Sequence, residues 1–367
     1  MPPSLDTARR PLVLVWEMTQ ACELACKHCR ADAQPERHPD ELTTAEAESL
    51  LADVREFGPR QLVVLSGGDP LARDDVTHLV RYGVERDLQM TLTPSGTASL
   101  TADRVEELAR AGLRRLALSL DGSTAAAHDG FRGEDGSFTE TLNAAEAARD
   151  AGVPLQINTT VCAETVDDLP AIRDRVRTLG AVMWSVFFLV PVGRGTVLQP
   201  ISPERAERVM AWLARVADDE PFALKTTEAP HYRRVRAQSD ARADPGEAQA
   251  GTESSPVGNR PRVTAGDGFA FVSHIGDVYP SGFLPLSAGN VREESVVSIY
   301  RTADLFESLR DPDALRGKCG ACPYRGICGG SRSRAFAATG DPFASDPLCA
   351  YVPDGYDGPL PAVRSGP

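Results

Sequence analysis

The residues with the most distinctive chemistry are the cysteines, seven of which lie in two groups. The first group is Cys22, Cys26 and Cys29, spaced C-x3-C-x2-C after the apolar run Leu12–Trp16. Thiolates are soft ligands that suit iron–sulfur clusters or zinc. Three thiolates leave a four-iron cluster one ligand short, and an open metal position can bind a substrate or cofactor. The spacing therefore predicts a cluster with one open iron.

The second group has enough thiols to complete the ligand shell of a cluster. Its members are Cys319, Cys322, Cys328 and Cys349, with C-x2-C-x5-C spacing for the first three. A complete shell indicates a structural or electron-transfer role rather than ligation of a substrate. A four-cysteine zinc ribbon is the alternative. Cys162 stands alone at the end of an apolar segment and is predicted to be a buried small hydrophobe.

The elements that must position these cysteines alternate between strands and helices. Six βα repeats predict a parallel sheet, which can be a doubly wound sheet or an open, partial barrel. Six units are too few for a closed eight-stranded barrel. We therefore expect an α/β fold, a partial (β/α)6 TIM-like barrel. The predicted strands are Leu12–Met18, Gln61–Leu65, Met90–Thr93, Leu113–Leu120, Leu155–Val161 and Met183–Val190.

The helices between these strands follow from apolar residues at helical spacing. Beyond them, Gln238–Arg260 loses its apolar periodicity and is predicted to be a loop. Phe269–Ser273 and Val278–Tyr279 are predicted to form a hairpin. The predicted helices are Thr43–Phe57, Asp74–Arg86, Thr101–Ala111, Phe138–Ala151, Thr165–Leu179, Pro203–Ala217 and Val297–Leu309.

Small and polar residues follow the ends of successive strands, where chemistry gathers in parallel α/β folds. Gly67 and Gly68 follow the second strand and would let the backbone approach a ligand closely. Asp69 then offers a carboxylate to a cationic amine, or caps a tight turn. Ser95 and Ser119 lie at the next two strand ends, and Asn158 lies after the start of the predicted fifth strand.

The three-cysteine loop, together with Gly67-Gly68-Asp69-Pro70, resembles the radical SAM superfamily over Leu12 to about Gly195. The resemblance implies a [4Fe-4S] cluster on the three cysteines, with S-adenosylmethionine on its open iron. A zinc site is disfavoured because His28 is badly placed to supply a fourth ligand.

The same resemblance assigns the contacts of S-adenosylmethionine. It implies that the methionyl amine meets Gly67, Gly68 and Asp69, although Asp69 stands where the family more commonly has Glu. His28 occupies the place where the family often has an aromatic ring against the adenine. The residues that match positions used for the methionyl carboxylate and ribose are Ser95, Ser119 and Asn158.

The C-terminal part resembles the extension called SPASM or, in a shortened form, twitch, through the segment Cys328-Gly329-Gly330-Ser331-Arg332. It implies one auxiliary [4Fe-4S] cluster on the second cysteine group, so two clusters in all. The expected organisation is a radical SAM core at 1–220, a connecting segment with a flexible loop at 221–265, an auxiliary cluster domain at 266–352, and a tail at 353–367.

Two substrate classes agree with this plan. Gly276–Pro280 and Cys328–Arg332 are similar to enzymes of heme and heme d1 synthesis, which act on porphyrin propionates. The overall plan is also similar to peptide maturases of the mycofactocin type. About eleven residues precede the first strand, so a leader-binding domain is expected to be absent, which favours a tetrapyrrole. A third hypothesis, a non-catalytic electron carrier or scaffold, is disfavoured because the cysteine and glycine motifs are retained.

Thr226–Arg234 is a candidate substrate-facing segment. Arg233 and Arg234 would pair with propionates, since guanidinium groups suit carboxylates; a solvated basic patch is the alternative. His231 is an alternative iron ligand. The resemblance also implies an electron donor such as ferredoxin or flavodoxin.

The composition excludes some partners. A formal net charge of −13 argues against nucleic acid, because phosphate backbones need clustered Lys and Arg. No apolar run is long enough to span a membrane. The first residues lack the basic-then-apolar layout of a signal peptide, so the expected location is the cytoplasm.

Overall fold

A computed structural model describes residues 6–243 and 263–361. Within these ranges the chain forms one ten-stranded sheet with the order β10-β9-β8-β1-β2-β3-β4-β5-β6-β7. The strands are β1 Val13–Glu17, β2 Leu62–Ser66, β3 Gln89–Leu92, β4 Arg115–Ser119, β5 Leu155–Val161, β6 Met183–Phe188, β7 Ala223–Thr227, β8 Phe269–Val272, β9 Asp277–Tyr279 and β10 Gly289–Asn290.

Helices connect the parallel strands, and further helices follow the hairpin. The sequence fixes where the first helix begins, because Thr43 and Glu46 form a reciprocal capping box at its N-terminus. The helices are α1 Thr44–Arg55, α2 Val76–Glu85, α3 Ala102–Arg110, α4 Ala125–Arg132, α5 Ser137–Asp150, α6 Leu169–Thr178, α7 Pro203–Asp219, α8 Tyr232–Ala243, α9 Val296–Thr302, α10 Asp304–Arg310, α11 Gly317–Gly320 and α12 Arg332–Thr339.

The sheet forms an open barrel whose two faces differ. Strands β1 to β7 pair in parallel in chain order, and β8 pairs in parallel with the other side of β1. Alternate residues such as Leu116 and Leu118 are fully buried in the main core under the helices. Their neighbours Arg115 and Ser119 therefore lie on the inner face, because side chains alternate along a strand. The two outermost strands are β10 and β7, so the partial-barrel prediction is confirmed.

All six predicted strands and the hairpin form, with bounds shifted by a few residues. A seventh parallel strand, β7, was not predicted because Ala223–Thr227 is short and lacks a run of Val, Leu or Ile. The predicted helix Val297–Leu309 is two helices, since Ala303 adopts an extended conformation between them. The predicted loop Gln238–Arg260 begins inside α8, and its part after Ala243 lies outside the described residues.

Arg334 joins the C-terminal segment to the carboxyl ends of β6 and β7. Its guanidinium donates to the carbonyl oxygens of Phe188 and Leu189, each at 3.1 Å, and of Glu228 at 2.7 Å. It also pairs with Asp346 at 3.1 Å, and both side chains are almost fully buried. The second cysteine group is thereby held at the same end of the barrel as the first. No helix of the described residues is long and apolar enough to cross a membrane.

Candidate functional site

The first cysteine group lies on the loop between β1 and α1. Cys22 and Cys26 are buried, Cys29 is partly buried, and all three are free thiols. The amide of Leu24 donates to Cys22 Sγ at 3.4 Å, and the amide of Ala33 donates to Cys29 Sγ at the same distance. Donors aimed at sulfur favour the thiolate over the thiol, as a metal ligand requires.

Without a bound metal, burial acts against these amide donors, because it favours the neutral thiol over the thiolate. It raises the pKa of Cys22, and it raises the pKa of Cys26 to about 11, with Arg132 acting in the opposite direction. Both thiols are therefore protonated near neutral pH until a metal binds, and metal uptake releases protons. No other cysteine of the described residues joins this group, so a four-iron cluster here would have one iron without a protein thiolate.

The two glycines after β2 pack against the backbone of the cysteine loop. A Cβ atom at Gly68 would lie 2.3 Å from the carbonyl oxygen of Ala21, and Gly67 has a φ of +148°. The amide of Gly68 donates to Thr19 O at 2.8 Å, and that of Asp69 donates to Ala21 O at 2.6 Å. The glycines thus allow two loops to meet, a role that the sequence had assigned to the approach of a ligand.

Asp69 has two polar partners within the same turn. Its carboxylate accepts from the amide of Leu71 at 3.0 Å and from the hydroxyl of Thr97 at 3.2 Å. Asp69 is thus the N-cap of the short 3-10 turn Pro70–Ala72, and its contact with a cationic amine stays a prediction. The carboxylate is 5% exposed, and burial raises its pKa. A nearby cationic amine would relieve this cost.

Ser95 bridges the glycine turn and the first cysteine. Its hydroxyl donates to Gly68 O at 2.8 Å and lies 3.2 Å from Cys22 Sγ. Its own carbonyl oxygen accepts from the buried Arg132 at 2.8 Å. The sequence-predicted residues after β1, β2 and β3 are therefore in one contact network.

The ring of His28 stacks on Phe131, with centroids 4.8 Å apart and planes 12° from parallel. Burial lowers the pKa of His28 to about 4, so the imidazole is neutral near neutral pH. Its Nε2 lies 3.8 Å from Asp121, which also lies 3.6 Å from Arg132. One face of the imidazole is thus covered by Phe131, which restricts any adenine to the other face.

Ser119 and Asn158 are register partners on β4 and β5, on the inner face of the sheet. Asn158 accepts from Gln156 Nε2 at 2.8 Å. Both residues lie at the same end of the barrel as the cysteine loop, but they belong to a different strand pair from Ser95. The structure therefore places the predicted small and polar residues at one end of the barrel, in two neighbouring sets. The first set is Gly67, Gly68, Asp69 and Ser95, and the second is Ser119 and Asn158.

The sequence assigned no role to Arg194, which follows the end of β6. Its side chain donates to Cys26 O at 3.1 Å and to Ala33 O at 2.9 Å. Its amide donates to Cys29 O at 3.0 Å. Arg194 thereby fixes the backbone that carries the thiols. The sequence likewise assigned no role to Arg132 or Asp121.

The second cysteine group is gathered by α11, by the loop that follows it and by the segment before the tail. Cys319 accepts from the amide of Asp346 at 3.5 Å and lies 3.8 Å from Arg332. Electrostatic interactions join Cys328 to Cys349 and to Cys319. The charge of Cys319 also acts on Cys322, so electrostatic interactions link all four predicted ligands.

Burial raises the pKa of every thiol of this group for which a shift is resolved. It raises the pKa of Cys328 far above its ordinary value and that of Cys349 to about 11. Among the described residues no three His, Cys, Asp or Glu side chains converge closely enough for a single metal ion. Both the auxiliary cluster and the zinc alternative therefore stay predictions.

The predicted pairing of Arg234 with a substrate propionate is wrong. Arg234 is 2% exposed, and both terminal nitrogens donate to the carboxylate of Glu207, at 2.6 and 2.5 Å. It also lies 4.0 Å from Cys349 Sγ. Its charge is therefore paired with Glu207 and lies beside the second cysteine group.

His231 is fully buried between Phe188 and Asp346. Neither ring nitrogen has a hydrogen-bond partner among the described residues. Burial lowers its pKa to about 4, although Asp346, at 3.8 Å, acts in the opposite direction. Iron ligation by His231 stays a prediction.

Comparison with known proteins identifies relatives of the whole chain. Residues 16–176 match the family model described as the radical SAM superfamily. The AdoMet-dependent heme synthase of Methanosarcina barkeri is 41% identical, over 94% of this chain and 97% of the relative. The pre-heme d1 synthase of Dinoroseobacter shibae is 30% identical, over 95% of this chain and 88% of the relative.

A solved structure confirms the fold. SuiB of Streptococcus suis, bound to S-adenosylmethionine, is 17% identical and has a TM-score of 0.69, over 94% of this chain and 78% of that one. SuiB bound to the precursor peptide SuiA has the same TM-score and identity, over 94% and 76%. The fold is thus one that binds S-adenosylmethionine and a [4Fe-4S] cluster.

Proposed function

The chain belongs to the radical SAM superfamily of enzymes, and on that premise we propose that it oxidises propionate side chains of a tetrapyrrole. The single observation that carries the substrate class is the 41% identity to an AdoMet-dependent heme synthase along nearly the whole of both chains. The likeness to SuiB with its precursor peptide is at 17% identity and supports the fold alone. The tetrapyrrole hypothesis is therefore preferred to the peptide-maturase one.

Cys22, Cys26 and Cys29 are the proposed ligands of the cluster that meets S-adenosylmethionine. When bound, that cluster supplies one electron, which cleaves S-adenosylmethionine to methionine and a 5′-deoxyadenosyl radical able to remove a hydrogen atom from the substrate. Support comes from the amides directed at two of the sulfurs and from the buried loop backbone that Arg194 holds. Ferredoxin or flavodoxin is the proposed class of electron donor.

The protein's own contribution is to hold S-adenosylmethionine in one orientation. The buried carboxylate of Asp69 would receive the methionyl amine, and Gly67 and Gly68 bring that carboxylate to the cysteine loop. The free face of the neutral His28 ring would stack on the adenine. The residues proposed for the methionyl carboxylate and the ribose are Ser95, Ser119 and Asn158.

The second cysteine group is proposed to hold an auxiliary [4Fe-4S] cluster that takes up the electron left on the substrate. Its support is the gathering of four thiols with Arg234 and Arg332 beside them. Cationic neighbours offset the charge of thiolate ligands. We propose the same division of the chain as the sequence predicted, with the core at 1–220 and the auxiliary domain at 266–352.

The test is anaerobic turnover. The reconstituted chain is incubated with dithionite, S-adenosylmethionine and iron-coproporphyrin III, and products are followed by mass. We expect 5′-deoxyadenosine together with loss of carboxyl groups from the porphyrin. Cleavage of S-adenosylmethionine without any change in the porphyrin would reject the tetrapyrrole while leaving the radical chemistry intact.

A matched pair of cysteine variants tests the cleavage step. Cys26→Ala should abolish release of 5′-deoxyadenosine, because it removes a proposed ligand. Cys162→Ala removes an equally buried thiol in a separate apolar cluster and should leave the release unchanged. Release that persists in Cys26→Ala would overturn the cluster assignment.

A further inference from the structure

Two cations on the inner face of the barrel have no acidic partner among the described residues. Arg115 begins β4, and Lys225 lies in the middle of β7. Neither has a carboxylate within 4.0 Å among the described residues, in a chain whose net charge is −13. Most other arginines of this chain are paired with Asp, Glu or backbone carbonyls. The inner face thus carries two positive charges that no carboxylate of the described residues neutralises.

Strand alternation places both side chains on the same face. Leu116 and Leu118 point into the main core, so Arg115 points inward. Leu224 packs against that core, so Lys225 also points inward, where it is the register partner of the buried Ser185. In the sheet β5 and β6 lie between the two strands, and the charge of Arg115 still lowers the pKa of Lys225.

Arg115 is held in place by neutral groups. Its Nη1 donates to Gln156 Oε1 at 3.0 Å and lies 3.2 Å from the sulfur of Met183. Gln156 in turn donates to Asn158 at 2.8 Å. The guanidinium is therefore oriented by a chain of hydrogen bonds that ends at a residue proposed to contact S-adenosylmethionine.

Two like charges in a partly buried site are unfavourable unless an anion joins them. Burial lowers the pKa of Lys225, and the charge of Arg115 lowers it further. Burial also lowers the pKa of Arg115. A carboxylate between the two side chains would relieve both penalties, and guanidinium groups bind carboxylates with defined geometry.

We propose that Arg115 and Lys225 form a carboxylate-binding site that holds a side-chain carboxylate of the substrate. This inference rests on the proposed function, because it treats the substrate as a molecule with several carboxylates. Gln156 links Arg115 to Asn158, and Ser185 is the register partner of both Asn158 and Lys225, so the site adjoins residues proposed to hold S-adenosylmethionine. It would thus hold one carboxylate of the substrate beside that cofactor, and so orient the substrate toward the radical.

The test measures binding of iron-coproporphyrin III and of its tetramethyl ester to the anaerobically reconstituted full chain, followed by porphyrin absorbance. Arg115→Gln and Lys225→Met should each raise the Kd of the acid by about tenfold to a hundredfold, as expected for a hydrogen bond between charged groups. Arg115→Lys and Lys225→Arg should recover part of the affinity. Arg149→Gln removes an exposed charge on α5 and should leave the Kd unchanged.

The ester separates charge recognition from a general loss of structure. It should bind the unmodified chain more weakly than the acid, and the two variants should not weaken it further. An unchanged Kd for the acid in both variants, or an equal loss for acid and ester, would overturn the carboxylate site alone. Failure of the unmodified chain to bind the porphyrin would overturn the proposed function, and this inference with it.

Discussion

The two cysteine groups are held in different ways. The three-cysteine loop is fixed mainly through its backbone, by the amides and carbonyls of the glycine turn and by Arg194. The four-cysteine group is surrounded by cationic side chains, with Arg332 3.8 Å from Cys319 and Arg234 4.0 Å from Cys349. Burial raises the pKa of Cys26 in the first group and of Cys349 in the second.

This difference follows from the number of thiols and from what each group must do. Four thiolates carry one more negative charge than three, and more cations stand beside them. The three-cysteine group has Arg132 as its main charge partner, and that arginine also pairs with Asp121. The three-cysteine group must leave one side open for a ligand, so a fixed backbone suits it. The four-cysteine group has a complete set of thiolates, so side chains can cover it on all sides.

The largest expected contrast between the groups is in catalysis. Cys328→Ala should abolish conversion of the porphyrin while leaving uncoupled release of 5′-deoxyadenosine, whereas Cys26→Ala loses both. Iron content should fall from about eight to about four per chain in each variant. The checks are product mass and iron analysis.

If Cys328→Ala fails to fold, Cys322→Ala offers a second test, since Cys322 is partly exposed. If Cys328→Ala and Cys322→Ala both fold but neither releases 5′-deoxyadenosine, the two groups do not have separate roles. Retention of about eight irons per chain would remove the second group from the proposal.

The glycines test whether the backbone positions the first group. Gly68→Ala places a Cβ 2.3 Å from Ala21 O, so the cysteine loop must move, and the first cluster should assemble poorly. We expect iron content to fall toward that of Cys26→Ala. Gly326→Ala, inside the second cysteine group, meets no atom within 4 Å and should keep its iron. Equal iron in both variants would contradict the backbone account.

The buried pair Arg334–Asp346 should matter more for stability than any exposed pair. Arg334→Met leaves a buried carboxylate and three carbonyl oxygens without this donor, which should cost about 3–5 kcal/mol. Arg110→Met breaks the exposed pair with Glu106 and should cost under about 1 kcal/mol. Urea unfolding of the reconstituted chain, followed by circular dichroism, measures both. Similar midpoints would show that the C-terminal segment is held by other contacts.

The smallest expected effect concerns the affinity for S-adenosylmethionine. Asp69→Asn removes the charge proposed to meet the methionyl amine and should weaken binding by about 1.5–3 kcal/mol. Titration calorimetry provides the measurement. Asp74→Asn, an exposed carboxylate in the same connection, should have no effect. Unchanged affinity in Asp69→Asn would mean that Asp69 caps its turn and does not meet the methionyl amine.

Several features were predictable because they depend on local pattern. The six strands and the hairpin follow from short apolar runs, and the rim position of Cys22–Cys29 follows from the rule that parallel strands gather chemistry at their carboxyl ends. The strand β7 escaped prediction because Ala223–Thr227 carries no apolar run. The role of Arg234 was mistaken because its direction depends on Glu207, 27 residues earlier in the chain.

The sequence by itself determined the donor atoms, because thiol count and spacing are properties of the chain: three in one group and four in the other. It also determined the alternation that builds the barrel. Only the tertiary structure decided which arginines are occupied and which are available. Arg234 pairs with the partly buried Glu207 and Arg334 with the buried Asp346, while Arg115 and Lys225 have no carboxylate partner among the described residues. The physical reason is that charge pairing depends on distance in space, which sequence separation does not encode.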